Sequence, residues 1–350
     1  MIKRIRLALP FAVVGLFAAA HATAAVGDQG TMDDACASPD TRLSKLCRAV
    51  DEKFKSPQDS YVHLGGDFFI VFVSNTGRVA QGIYVANVKT GQLNLFGGYG
   101  SPELGSVEGG KSGSIWIEVK QGSMSHGQSW ETWSLLERRL NPVTKTPYLV
   151  RHVTRAKADL SEEMQSFCSR PGNDRSSKCS GLGETVYLNQ EEIEHLKNGT
   201  VSTDRRQSER ILAAHKEALR VYKNKIYEGK NPYQFLEDAN VWLVLDTKPK
   251  TMSIGEYVNV LNDYAFLAYQ YGEGRTDLAI EILDKVIRLS PGRTPAYLNM
   301  AEALEYLAKF GTTEYATIPL DDTTIAEVRT RAATYRDKYR SMRGQPRKDG

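Results

Sequence analysis

The spacing of apolar residues changes once along the chain, from a period of two to a period near three and a half. Between Tyr61 and Ala156 the strand period holds: Asp67 to Ser74 is rich in β-branched and aromatic residues, and Gln81 to Val88 alternates. Lys89-Thr90-Gly91 then forms a hairpin turn into Gln92 to Phe96. After a glycine-rich loop come Ser114 to Lys120, Ser129 to Leu140 and Thr146 to Ala156, the last two joined by a turn at Asn141-Pro142. This predicts an antiparallel meander of about six strands. The run Phe68 to Val73 is apolar without a break, which requires cover on both faces and favours a sandwich, or a sheet packed on helices, over an open sheet.

Beyond Ser208 the helical period takes over. Ile211, Leu212, Leu219, Tyr222 and Ile226 mark one helix from Ser208 to Tyr227, and Pro232 opens another running through Phe235, Leu236, Ala239, Trp242 and Leu243. Ser253 and Glu256 form a capping box before the stripe Tyr257, Val260, Leu261, Tyr264, Leu267, Ala268 and Tyr271. A turn with Gly272 and Gly274 leads to Leu278, Ala279, Ile282, Leu283, Val286 and Leu289, which stop at Ser290-Pro291-Gly292. Thr294 caps a third helix with Pro295 at its first position, and Thr324 with Glu327 caps the last. Shorter helices are expected after Asp40 (Leu43, Leu46, Val50, Phe54), within 160–183, and after Asn189 with Glu192, while 26–34 reads as a polar, mobile start.

The fold class is therefore α+β: an N-terminal antiparallel β domain followed by an all-helical one. The expected divisions are a secretory signal peptide at 1–25, a disulfide-tied helix at 26–60 and the β domain at 61–158. A stapled connection at 159–204, the helical domain at 205–343 and a tail at 344–350 complete the chain. The signal reading rests on Lys3, Arg4 and Arg6, an apolar core from Leu7 to Ala20, and Ala22-Thr23-Ala24 as a cleavage site. Its alanine-rich style fits a bacterial periplasm, and no later stretch is apolar enough for a transmembrane segment.

Tyr264, Leu267, Ala268, Tyr271, Gly274, Ala279, Leu283 and Pro291 resemble the signature of the tetratricopeptide repeat, with one residue fewer in the turn between helices. Tyr297, Met300, Ala301 and Leu304 restart it, so the resemblance covers about one and a half units. In that family the first helix of each unit lines a groove that holds a partner peptide or helix. The resemblance implies that Asn262, Ala265, Tyr269 and Glu273 from one unit, and Leu298, Glu302, Glu305 and Tyr306 from the next, face it. Such a surface suits basic and apolar partner side chains. The two preceding helices are expected to cap the stack.

Charge narrows the possibilities. Three of the 45 basic residues lie in the signal, leaving 42 against 42 acidic ones, and a neutral chain argues against nucleic acid as a partner. The four cysteines are expected to form two disulfides. Pairing Cys36 with Cys47 and Cys168 with Cys179 is the simplest of three connectivities. Neither pair has metal-ligand spacing, the histidines are scattered, and no metal or cofactor is expected.

Two local patterns carry candidate chemistry. Gly105 to Ser112 matches a P-loop, but the residues after it form a strand, not the helix whose amides would hold phosphate. His126 and Ser129 pair a possible base with a nucleophile without a G-x-S-x-G elbow; with Trp130 they suit a recognition loop. The expectation is a non-enzymatic protein-binding protein of the periplasm that engages another envelope or secreted protein, as an inhibitor or immunity protein or as an assembly adaptor. The alternative is an envelope hydrolase with its site on the β domain.

Overall fold

The computed structural model describes residues 26–54, 60–74, 81–109, 114–125, 128–160, 162–170, 183–199, 205–224, 231–272, 275–310 and 319–344. The expected signal peptide lies outside them. Among the described residues ten strands form two five-stranded antiparallel sheets, where the alternation alone predicts about six strands. In the first, β1 (Gln29–Thr31), β2 (Ser60–Gly65), β3 (Phe68–Val73), β4 (Gly82–Asn87) and β5 (Gln92–Tyr99) lie in chain order. The second contains β6 (Ser101–Gly109), β7 (Ile115–Ser125), β8 (Gln128–Leu140), β9 (Pro147–Leu160) and β10 (Gly183–Val186), with β6 and β10 at its edges. The chain changes sheets at Gly100, whose φ of +150° is accessible to glycine.

The unbroken apolar run of β3 is divided between two cores. Ile70 and Phe72 meet Val62, Ile83 and Val85 of their own sheet and Ile117, Leu136 and Leu149 of the other, so the sheets form a sandwich. Phe69, Val71 and Val73 face the other way, under α1 (Met32–Ala37) and α2 (Thr41–Phe54), which contribute Met32, Leu46, Val50 and Phe54. Asp40 caps α2 as expected, accepting from the Arg42 amide at 2.8 Å.

The polar start is ordered. Gln29 to Thr31 pair with β2, and Thr31 with Asp34 closes a capping box on α1. The strand and helix start within 26–34 were not foreseen, because this box uses Asp in place of Glu and the strand beside it buries little apolar surface. The glycine-rich stretch after Phe96 was likewise underestimated: 101–109 is edge strand β6, its ladder with β7 bulged between Leu104 and Val107. Residues Gly105 to Gly109 are thus in a strand that pairs with another strand, without the helix start a phosphate loop needs.

The helical half comprises α5 (Arg205–Asn224), α6 (Pro232–Asp238), α7 (Ile254–Tyr271), α8 (Thr276–Leu289), α9 (Thr294–Phe310) and α10 (Asp322–Gly344). Between the halves, α3 (Glu162–Cys168) follows β9 and α4 (Gln190–Lys197) follows β10 with its expected Asn189 and Glu192 box. The boxes at Asn231 and Ser253 also form. Two helix limits differ from expectation. The helix opened by Pro232 stops at Ala239, where Asn240 takes φ +55°, and continues only as a 3-10 turn, Val241–Val244. α10 begins earlier than Thr324, because Asp321 accepts from the Thr324 amide at 2.8 Å and takes the capping role. Gly272 is required by close approach: a Cβ there would stand 2.7 Å from the Ala268 carbonyl oxygen.

The helical core extends into the second sheet, including Tyr148 and Val150 of β9 with Ile211, Leu236, Tyr257, Leu283 and Leu304. At the far edge, Asn87 donates to the Pro319 carbonyl at 2.9 Å. The layers run helix, sheet, sheet, helices. No helix among the described residues is long and apolar enough to cross a membrane.

Cys36 and Cys47 form a disulfide between α1 and α2. Cys168 is disulfide-bonded, and Cys179 lies outside the described residues. The short loop closed by the first bridge sets an expectation of about 3 kcal/mol of stabilisation. Replacing Cys36 and Cys47 together by alanine should lower the urea midpoint by the equivalent of about 2–3 kcal/mol. An unchanged midpoint would show that the α1–α2 staple contributes nothing.

Candidate functional site

The residues assigned to the helical groove divide by burial. Asn262, Ala265 and Tyr269 are buried on α7, where Asn299 of α9 donates to the Asn262 oxygen at 3.4 Å. Glu273 lies outside the described residues. On α9, Leu298 and Glu302 are half-buried, while Glu305 and Tyr306 are exposed. The Tyr269 hydroxyl donates to Glu302 at 2.8 Å, and the guanidinium of Arg336 on α10 grips Glu305 through contacts of 2.7 and 2.8 Å. Tyr306 stacks on Phe310 with ring centroids 4.5 Å apart. The open surface thus narrows to one side of α9, with its acidic groups held in place.

Of the loop residues, His126 lies outside the described residues. Ser129 and Trp130 begin β8, opposite Asp159 and Ala158 of β9, and Trp130 is 38% exposed. Near them on the strand, Trp133 lies under the Arg155 guanidinium, 3.7 Å from the ring centroid, and Lys120 stands at 5.5 Å. This aromatic–cationic patch floors a cleft of about 460 Å³ closed by Leu188 and Ile193 at α4.

A denser cluster lies where the second sheet meets the helices, at positions the sequence analysis did not single out. In β8, Glu137 and Arg139 point to the same face because they are two residues apart. Arg139 makes ion pairs with Glu137 at 2.9 Å, with Asp246 at 2.7 Å after the 3-10 turn, and with Glu281 of α8 at 2.9 Å. The Tyr148 hydroxyl also donates to Glu281. His152 lies 3.3 Å from Glu137, between the rings of Trp116 and Trp242. Beside the cluster, Asn141 donates to Asp277 at 2.6 Å. A neighbouring network joins Tyr233, Tyr264 and Arg275 to Glu237, and Arg275 reaches the Arg151 carbonyl at 3.3 Å. Sheet and helices are therefore joined by buried charge as well as apolar surface.

Burial dominates the protonation equilibria. It would raise the Glu137 carboxyl, but the His152 hydrogen bond and the Arg139 charge outweigh it and hold that carboxyl below its ordinary range. For Glu281, burial prevails over Arg139 and Tyr148, and its pKa is raised. Burial lowers the His152 pKa, against the pull of Glu137. Asp277 is pushed up to about 6 by burial, only partly offset by Asn141.

Two cavities adjoin this seam. One of about 510 Å³ lies among Trp116, Arg139, Lys197, Asp246 and Glu281; another of about 400 Å³ lies among His152, Tyr187, Trp242 and Arg275. These volumes are in the range of small-molecule sites. Cys36, Cys47 and Asp51 also converge within 4.8 Å, but the two sulfurs are bonded to each other, which removes the thiolates a metal would need. The faint sequence signal for the seam was a pair of charges in β8 and Asp277 with Glu281 on the otherwise apolar stripe of α8. Comparison with protein families, with curated proteins and with solved structures finds no match.

Arg139→Met leaves Glu137, Asp246 and Glu281 without their shared cation and should destabilise the protein by about 3–5 kcal/mol, read from denaturant unfolding. A loss below about 1 kcal/mol would mean the seam does not depend on it. Asp277 gives a pH test. Its folded pKa lies above the 3.8 of an ordinary aspartate, so its contribution is full below pH 3.8 and is lost as pH rises through about 6. The difference is on the order of 3 kcal/mol. Asp277→Asn should therefore remove the decline in stability between about pH 4 and 6 relative to the parent; parallel curves would refute the assignment.

Proposed function

We propose that this chain is a non-catalytic protein-binding protein of the bacterial periplasm, and that its helical half acts as a short tetratricopeptide-like scaffold. The observation that carries the reading is the face of α9. Leu298, Glu302, Tyr306 and Phe310 recur every fourth residue and so share one side of the helix. Glu305 is already paired with Arg336, whereas Glu302 accepts from the Tyr269 hydroxyl and has no ion pair among the described residues. An aromatic anchor beside a preset carboxylate suits a protein segment that offers an apolar side chain and one basic side chain. The Cys36–Cys47 disulfide and the absence of a membrane-spanning helix among the described residues are compatible with an exported protein.

The partner is another envelope or secreted protein. Inhibition of that partner, as by an immunity protein, is the role that a compact, neutral, single binder fits best; an assembly adaptor is the other. Because Tyr269 is buried, truncating it would disturb the core, so exposed positions make the sharper test. Affinity capture from envelope and secreted fractions should yield one stoichiometric partner that is lost with Tyr306→Ala and with Glu302→Lys, each by tenfold or more in affinity, and kept with Ser129→Ala. Capture unaffected by both helix variants would sink the reading. A hydrolytic activity abolished by Ser129→Ala would establish the enzyme alternative.

A further inference from the structure

The cavity at the sheet–helix seam contains unused hydrogen-bonding capacity that neither the fold nor the α9 surface employs. Trp116 is 2% exposed, and its indole N–H has no acceptor among the described residues. Arg139 beside it is already engaged, its Nε in an ion pair with Glu137 at 2.9 Å, so the indole is the donor left over. Both residues line the same cavity of about 510 Å³. A buried donor left unpaired is unfavourable, which is the sign of a site that takes an acceptor atom from elsewhere.

The remaining wall defines what can bring it. Its charged lining is balanced, Glu137, Asp246 and Glu281 against Arg138, Arg139 and Lys197, so a ligand with net charge of either sign meets as many like as opposite groups, while the carboxylate lone pairs accept further hydrogen bonds. A cation satisfies the carboxylates but offers nothing to the Trp116 donor. A hydroxyl group both accepts and donates, and several hydroxyls on one small frame answer both walls at once. The geometry points to a binding site for a neutral, hydroxyl-rich small molecule of the saccharide class, entering past the exposed Asp246 and Thr247.

The full oxidised chain has four tryptophans and hence four indole N–H signals, of which Trp116→Phe identifies one. Titration of the ¹⁵N-labelled protein with glucose, N-acetylglucosamine and maltose should move the Trp116 signal saturably for at least one sugar. Succinate and putrescine, carrying net charge of either sign, should leave it in place. Thr247→Phe narrows the entrance without touching a charged group and should abolish the shift while the other indole signals stay put. Calorimetry on Trp116→Phe should show affinity reduced about fivefold, the equivalent of one neutral hydrogen bond. The inference is overturned if none of the three sugars moves the Trp116 signal at tens of millimolar, which would leave the cavity to water alone. It is equally overturned if the charged probes move it as well as the sugars do, or if the shift survives Thr247→Phe.

Discussion

One guanidinium holds the two halves of this molecule in register. Arg139 projects from the second sheet toward the helices and meets carboxylates from its own strand, from the link after the 3-10 turn and from α8. Such an arrangement is a poor source of stability compared with apolar packing, because each charge must lose its water. Its value is directional. Packed aliphatic side chains tolerate small rotations of a sheet against helices, whereas three ion pairs to a single planar fork do not.

That registry explains features that otherwise look unrelated. Tyr148 belongs to the helical core and reaches Glu281, so the apolar and ionic parts of the seam share a residue. His152 is buried between two tryptophans, and that burial lowers its pKa. The cavities next to the seam follow from the same layout. Where ionic groups fix the spacing between layers, side chains cannot close every gap as an apolar core does. The α9 surface lies away from this joint, on a helix supported from behind by α7 and α10, so binding there need not disturb the seam.

Much of the fold was legible because it rests on local rules. The capping boxes at Asn189 and Ser253, the turn at Lys89 to Gly91 and the two-sided burial of β3 each follow from residues within a few positions of one another. The failures share a physical cause. β1, β6 and β10 are edge strands whose side chains bury little, so their formation depends on a partner ladder that alternation does not record. The helix opened by Pro232 looked continuous, yet Asn240 ends it by adopting a left-handed backbone.

The sequence by itself determined the change from strand to helix, the antiparallel order of the strands and the face each helix buries, since periodicity encodes burial directly. The resemblance to a helical repeat also identified α9 as a surface of interest. Only the tertiary structure decided which of the candidate groove residues are open and which are covered, because burial depends on neighbours distant in the chain. It alone brought Arg139 to Asp246 and Glu281, more than a hundred residues away in sequence, and left the Trp116 indole at a cavity with no acceptor among the described residues. Charge pairing across that distance has no period, so no pattern in the chain could announce it.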